Sequence, residues 1–246
     1  MAKTIIVTGA ASGIGLACAR GLLADGHNVT AADIGAIPES NAAGAPKGRF
    51  LAVRTDVASL DDCRQAVAAT AKTFGALDGL IHMAAIHSTG TWDQVDADHF
   101  NRILAVNVTG SFLMARATGE YMSAHGGGAI VLTSSGSIVS SGVGGHGRGG
   151  PAYVTSKAAI IGLTRALARS LGRHKIRVNA VSPGATDTPM TAEYSDEARR
   201  NVAARALLGR IGQPEDIASV AMFLVSDAAG YMTGEIVNVN GGSSFG

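Results

Sequence analysis

The sequence predicts an α/β fold: one doubly wound parallel sheet of about seven strands, with helices on both faces. Three observations point there. Short β-branched apolar runs alternate with longer amphipathic stretches from one end of the chain to the other. The runs are apolar at successive positions rather than every second one, as strands covered on both faces require. A glycine-rich turn, Gly9 to Gly15, separates the first run from the first amphipathic stretch. No composition break or internal repeat divides the 246 residues, so one domain over 1–246 is expected.

The elements follow in order. Ile5, Ile6 and Val7 form the first buried strand, and 13–25 a helix with Leu16, Ala19 and Leu23 on one face. Val29 to Asp33 and Phe50 to Arg54 are the next two strands. Residues 59–74 are helical, opened by Ser59 as N-cap with Asp61 and Asp62 in the first turn. Leu77 to Met83 is the fourth strand, and 96–125 is a long helix stopped by Gly126, Gly127 and Gly128. Ala129 to Thr133, a helix over 152–172 and Ile176 to Val181 come next. Pro214 suits the first turn of a helix running to about 226, and Ile236 to Val239 closes the sheet.

Composition excludes several functional classes. A 46% hydrophobic content with 16% charged residues can bury a sizeable core, which excludes a disordered chain. Twenty basic and 19 acidic side chains are interspersed, with no Lys/Arg run, so no nucleic-acid partner is expected. No stretch reaches the roughly 18 apolar residues of a membrane span, and Met1 to Thr8 is too short for a signal peptide. Two cysteines, Cys18 and Cys63, suit a reducing compartment, so the cytoplasm is the expected location. No His/Cys/Asp cluster has metal-ligand spacing.

The turn Thr8-Gly9-Ala10-Ala11-Ser12-Gly13-Ile14-Gly15 follows a strand and opens a helix. Glycines there let the backbone turn sharply and approach a pyrophosphate set against the helix N-terminus, the Rossmann dinucleotide fingerprint. An ordinary glycine-rich turn is the competing reading, and the position between strand and helix argues against it. Asp33 ends the second strand, where a carboxylate accepts hydrogen bonds from a ribose and repels a 2′-phosphate. No Arg or Lys stands in the loop or directly after Asp33, so NAD rather than NADP is expected.

Tyr153 and Lys157 lie one helical turn apart and share a face. A free tyrosine titrates near 10 and is a poor base; a neighbouring ammonium favours the phenolate, so a pKa lowered by about 2–3 units is expected. The pair alone is common on solvated helix faces. The hydroxyls of Thr133, Ser134 and Ser135 at a strand's carboxyl end, where open parallel sheets bind ligands, raise its significance.

Thr8 to Gly15, Asp56 and Val57, Asn107, Ser135, Tyr153 and Lys157, and Pro183 and Gly184 with Thr188 together resemble the short-chain dehydrogenase/reductase family. The resemblance runs through Gly234-Glu235 and Gly241-Gly242, covering essentially the whole chain. It implies that Tyr153 exchanges a proton with the substrate oxygen, that Lys157 binds the nicotinamide ribose and lowers the tyrosine pKa, and that Ser135 polarises the substrate. It also implies that Asn107 positions a water linking Lys157 to solvent. In the cofactor site it places Gly9, Ser12, Gly13, Ile14 and Gly15 at the pyrophosphate, Asp56 and Val57 at the adenine, Ala84 as backbone support, and Pro183, Gly184, Thr186 and Thr188 at the nicotinamide. The expected activity is hydride transfer between NAD and a secondary alcohol or ketone, with a polyol, sugar or cyclic alcohol as substrate.

Two departures from the family stand out. After the fourth strand the usual Asn-Asn-Ala-Gly is replaced by His82-Met83-Ala84-Ala85. Ser135 and Tyr153 also lie further apart than usual, so Gly142 to Gly150 reads as an insertion, expected to loop outward. Ser134 or Ser137 is therefore an alternative working serine, with Ser135 preferred because it ends the strand. Residues 186–208, with Thr191, Glu193 and Tyr194, are expected to form a mobile flap. His87, Ser137 and His146 read first as ordinary loop residues and second as pocket lining. Two other functions remain open: a 3-oxoacyl-thioester reductase, for which Ala11 lacks the usual basic residue, and a non-catalytic nucleotide sensor. The resemblance further implies a homotetramer or homodimer built on 96–125 and 152–172, where Ala158 to Gly162 suit close packing.

Overall fold

The computed structural model describes residues 2–38, 49–140, 149–192 and 194–245. Seven strands form one parallel sheet: β1 (Thr4–Thr8), β2 (Asn28–Asp33), β3 (Phe50–Arg54), β4 (Gly79–His82), β5 (Gly128–Thr133), β6 (Ile176–Pro183) and β7 (Ile236–Val239). Their order is β3-β2-β1-β4-β5-β6-β7. From β1 the chain winds outward to β3, then returns to the other side of β1 at β4. The loops after β1 and β4 thus diverge, opening a crevice at the carboxyl edge of the sheet.

The apolar runs are explained by cover on both faces. Ile5, Val7, Val29, Ala31, Ile81, Val131 and Val181 face α1 (Gly13–Ala24) and α8 (Pro214–Val225). Ile6, Ala32, Leu80, Ile130, Leu132, Val178 and Ala180 face the opposite layer, built mainly from α2 (Leu60–Phe74), α4 (Gly110–Ala124) and α6 (Pro151–Leu171). Successive strand residues point to opposite faces, so both sets must be apolar. Ser59 caps α2 as expected, its Oγ accepting from the Asp62 N–H at 3.2 Å.

Two elements differ from expectation. β4 ends at His82 because the Met83 N–H bonds to the Thr8 hydroxyl at 3.1 Å instead of continuing the ladder. The expected helix over 96–125 is interrupted: α3 (Ala97–Leu104) passes into a π-helical turn, Ala105–Thr109, before α4 begins. Asn107 sits in that turn, and Ser111 Oγ donates to its carbonyl at 2.6 Å. Its side-chain amide grips the backbone of Ile86, donating to the carbonyl (3.0 Å) and accepting from the N–H (2.9 Å). A π turn inserts one residue into the helical ladder and re-aims a side chain, here towards the loop after β4.

The segment expected as a flap contains a short 3₁₀ turn, Pro189–Thr191, and α7 (Asp196–Arg205). A four-residue helix, α5 (Ser137–Ser140), follows β5. His146, Glu193 and 142–148 of the expected insertion lie outside the described residues.

Candidate active site

The turn after β1 is shaped by what its glycines exclude. Gly9 has φ +66°, and a Cβ there would lie 2.9 Å from the Ala84 nitrogen. A Cβ on Gly15 would meet the Gly9 carbonyl oxygen at 2.2 Å, so only glycine lets α1 start this close to β1. Thr8 joins the turn to the loop after β4. Its Oγ1 accepts from the N–H groups of Met83 (3.1 Å) and Ala84 (3.2 Å), so its own proton points at His82 Nδ1, 3.0 Å away. His82 therefore carries its proton on Nε2, which is buried and has no partner among the described residues. Burial, reinforced by the charge of Lys157, pushes this imidazole down to about 3, which keeps it neutral. The replacement at 82–85 thus has a structural counterpart: a neutral histidine orients Thr8, and Thr8 holds Met83 and Ala84 under the crevice.

Asp33 ends β2 beside the same turn. Its Oδ2 accepts from the Ala11 N–H (3.0 Å) and its Oδ1 from the Gly35 N–H (2.9 Å), which orients the carboxylate at the cavity wall.

The opposite end of the crevice is built by β5 and α6. Ser134 turns away, its Oγ donating to the Lys157 carbonyl at 2.9 Å. Ser135 turns towards the cavity, accepts from the Ser137 N–H (3.2 Å) and is hydrogen-bonded to Tyr153. Just past the end of β5 the backbone stays extended, with the Ser134 and Gly136 N–H groups bonded to the carbonyls of Val181 and Pro183, and alternation of side chains there separates the two hydroxyls. Lys157 Nζ donates to the Thr133 carbonyl at 3.0 Å and stands 5.8 Å from the centre of the Tyr153 ring. Asn107 Nδ2 donates to Ser156 Oγ (2.9 Å), which donates to the Tyr153 carbonyl (2.7 Å), so the π turn also braces α6.

The titration of the pair departs from expectation. Burial pushes Tyr153 up to about 12; the Ser135 hydrogen bond opposes this and the nearby Tyr194 adds to it. Burial brings Lys157 down to about 8. The expected lowering of the tyrosine is absent because both groups are shut from water, and desolvation is the largest cause for each.

These groups share one cavity of about 910 Å³. Every residue expected to bind cofactor or act in catalysis lines it, except Asn107, which is fully enclosed behind the wall and has its amide committed to Ile86 and Ser156. His87 and Ser137 are on the wall, contrary to their first reading as plain loop residues. His87 packs edge-on against Tyr153, ring centres 4.5 Å apart at 75°. Arg102, Arg205 and Arg210 also reach the cavity. No sequence signal marked them, since each reads as a solvated charge on or beside an amphipathic helix. Gly9 and Gly15 let the turn close tightly so that α1 begins at the cavity beside β1, and the cavity is large enough for a dinucleotide, so the residues present fit that cofactor.

Comparison with known proteins gives the family. A family profile described as Enoyl-(Acyl carrier protein) reductase matches residues 9–244. The chain is 39% identical over 245 residues to a 2,5-dichloro-2,5-cyclohexadiene-1,4-diol dehydrogenase of Sphingobium indicum, covering 98% of this chain and 96% of that protein. The chain belongs to the short-chain dehydrogenase/reductase family. Another member it resembles is a 3-oxoacyl-(acyl-carrier-protein) reductase of Thermotoga maritima, 34% identical, covering 98% of this chain and 97% of that one. Among solved structures of similar fold is levodione reductase, at a TM-score of 0.89 and 28% identity over 98% of this chain and 96% of that one. Short-chain dehydrogenases/reductases are oxidoreductases that use nicotinamide cofactors. Among the described residues no helix is long and apolar enough to cross a membrane, and no cluster of three or more His, Cys, Asp or Glu could hold a metal ion.

The lowered Lys157 pKa sets a stability signature. Below about 8 the lysine is charged in both folded and unfolded chains, and the folded state bears its full burial cost. Between about 8 and 10.5 the unfolded chain holds one proton more, so stability gained from this group rises with pH. Lys157→Met lacks the effect, while Tyr153 is common to both proteins. The stability advantage of the variant over the wild type is expected to shrink by about 3 kcal/mol from near pH 7 to near pH 10. Urea unfolding at stepped pH checks this, and an advantage independent of pH would contradict it.

Proposed function

We propose that the protein is an NAD-dependent oxidoreductase that interconverts a secondary alcohol and its ketone, with a small cyclic alcohol as the favoured substrate class. The observation that carries the reading is the meeting of Ser135, Tyr153 and Lys157 at one end of a cavity whose other end has the glycine turn and Asp33. The cyclic substrate class is supported by the likeness to a cyclohexadiene-diol dehydrogenase. We further propose one domain over 1–246, a homodimer or homotetramer, and a cytoplasmic location.

When bound, the nicotinamide supplies a two-electron hydride acceptor for an alcohol or donor for a ketone. Tyr153 takes the hydroxyl proton of the alcohol in one direction and returns it to the ketone oxygen in the other. Ser135 donates a hydrogen bond to that oxygen and steadies the charge that builds on it. Lys157 keeps a positive charge beside the phenol, and Asn107 behind the wall braces the helix that carries both through Ser156. Gly9, Ser12, Gly13, Ile14 and Gly15 receive the pyrophosphate, Asp56, Val57 and Ala84 flank the adenosine half, and Pro183, Gly184, Thr186 and Thr188 line the nicotinamide half.

A second reading, reduction of a 3-oxoacyl thioester, is favoured by the likeness to the Thermotoga maritima reductase and by the description of the matching profile. Ala11 and Asp33 speak against it, since neither welcomes the extra phosphate of NADPH. Purified protein assayed with NAD against cyclic alcohols, polyols and sugars, beside NADPH with an acetoacetyl thioester, separates the two. Turnover confined to the thioester would overturn the first. NAD binding with no turnover of any substrate would point to a nucleotide sensor.

On the preferred alcohol, Tyr153→Phe is expected to abolish turnover while leaving NAD affinity by calorimetry within about twofold, because only the proton-transfer group is lost. Ser135→Ala is expected to cost about 2.7–4 kcal/mol at the transition state, and Ser134→Ala much less. An active phenylalanine variant, or Ser134→Ala as the more damaging serine change, would contradict the assignment.

Cofactor choice is expected to follow Asp33. The wild type should favour NAD over NADP by about tenfold or more in kcat/KM, and Asp33→Ala should erode the preference. Steady-state kinetics with both cofactors checks this, and a wild type that favours NADP would refute it.

A further inference from the structure

Among the described residues four cationic side chains line the cavity: Lys157, Arg102, Arg205 and Arg210. Lys157 is held by the Thr133 carbonyl, and Arg210 is paired with Asp216 through hydrogen bonds of 2.6 and 2.8 Å. Arg102 stands at the cofactor end, one turn before Val106 in the helical segment that meets Val57 at Gly110. Arg205 stands at the flap end, in the last turn of α7, and among the described residues no carboxylate lies within ion-pair distance of it. The acids of the flanking segments, Asp187 and Asp216, are taken by Arg199 and Arg210. A cation suits the last turn of a helix, so that position alone carries nothing. A cation that also lines a binding cavity without a counter-ion leaves a positive field for a ligand to meet.

The wall beside Arg205 adds hydroxyl donors. Val202 and Arg205, three apart on α7, share the face turned to the cavity. Beyond α7 the chain is tied to the C-terminal segment: the Leu208 N–H donates to the Gly241 carbonyl at 3.1 Å, and a Cβ on Gly241 would stand 3.3 Å from that of Ala206. Ser243 and Ser244 follow directly in that segment and line the cavity. Ser244 Oγ accepts from Asn240 Nδ2 at 3.0 Å, so its own proton is left for another acceptor. We infer that Arg205, with Ser243 and Ser244 beside it, is a carboxylate subsite at the flap end of the cavity. The substrate is then a cyclic hydroxy acid, or the corresponding oxo acid, whose carboxylate lies away from the reacting carbon. The inference rests on the alcohol oxidoreductase reading and deepens it. A planar guanidinium offers paired N–H donors that match a carboxylate, and such charged pairs are roughly twice as strong as neutral ones. On that reading the cofactor's pyrophosphate belongs to the glycine turn at the other end, which leaves Arg205 for the substrate.

The test compares 3- and 4-hydroxycyclohexanecarboxylate with their carboxamides under NAD. The wild type is expected to favour at least one acid over its amide by about tenfold or more in kcat/KM, chiefly through KM, because the pair forms in the ground state as well as in the transition state. Arg205→Gln is expected to bring that ratio close to one, and Arg205→Lys to keep part of it. A ratio is insensitive to damage that slows both substrates alike. Added salt is expected to weaken the preference, since the arginine is exposed. A second measurement needs no turnover: calorimetry of cyclohexanecarboxylate and cyclohexanecarboxamide on the NADH complex. The acid is expected to bind the wild type about tenfold more tightly than the amide, and Arg205→Gln to bind the two alike. Equal treatment of acid and amide by the wild type in either measurement, or a preference that survives Arg205→Gln, would overturn the inference and leave the functional reading intact. A loss in Arg205→Gln confined to acetoacetyl-CoA with NADPH would assign the arginine to a thioester's phosphates and overturn it as well. If the wild type oxidises neither these alcohols nor cyclohexanol, the functional reading fails, and the calorimetry still decides the subsite.

Discussion

A buried ammonium is the constraint around which the carboxyl edge of this sheet is arranged. Lys157 is 3% exposed, and a charge in that position has to be met by oxygen. The Thr133 carbonyl, the last of β5, supplies it. That requirement fixes α6 against the strand end, and Ser134 fastens the same junction from the other side by bonding to the lysine's own carbonyl. With α6 set, Tyr153 lies one turn earlier on the same face, next to Ser135. The π turn at Ala105–Thr109 completes the support, since Asn107 links the loop after β4 to Ser156 and thereby to the backbone of Tyr153.

The parallel sheet of about seven strands was legible because it depends on patterns a linear sequence displays. Runs such as Ile5–Ile6–Val7 and Ile130–Val131–Leu132 are apolar on both faces, and only a sheet covered on both sides uses them. The glycine turn was legible for a similar reason, as Gly9 and Gly15 occupy positions where any side chain collides with backbone. The break at 105–109 was not. Val106 to Thr109 continue the helical periodicity, and what inserts the extra residue is the bond of Asn107 to Ile86, a contact between segments the sequence keeps apart.

The convergence of the candidate residues on one cavity was readable in the sequence, and their energetics less so. Spacing alone joins Tyr153 to Lys157, but spacing does not say how dry the pair is. Lowering of the phenol assumes that the ammonium acts in partly solvated surroundings, whereas burial raises the phenol to about 12 and lowers the ammonium to about 8. His82 is a related case. An imidazole where an amide is usual reads as a defect in the cofactor floor until Thr8 is seen to bond to it and to two backbone N–H groups at once. His87 and Ser137 read first as ordinary loop residues and only second as pocket lining. What favours the second reading is the packing of His87 on Tyr153 and the bond from the Ser137 N–H to Ser135, a contact between segments the sequence keeps apart and a turn that it does not specify.

A phenol held at about 12 in the free protein can serve as an acid/base near neutrality only if bound cofactor changes its surroundings, and the added positive charge of an oxidised nicotinamide is the change available. The direct measurement is tyrosinate absorbance of the wild type minus that of Tyr153→Phe, followed from about pH 6 to pH 10 with and without NAD. The expected result is no tyrosinate from Tyr153 over that range in the free protein and its appearance within the range in the NAD complex. Ionisation at or below pH 10 in the free protein would contradict the burial that governs the site. Silence in the NAD complex would contradict Tyr153 as the proton-transfer group.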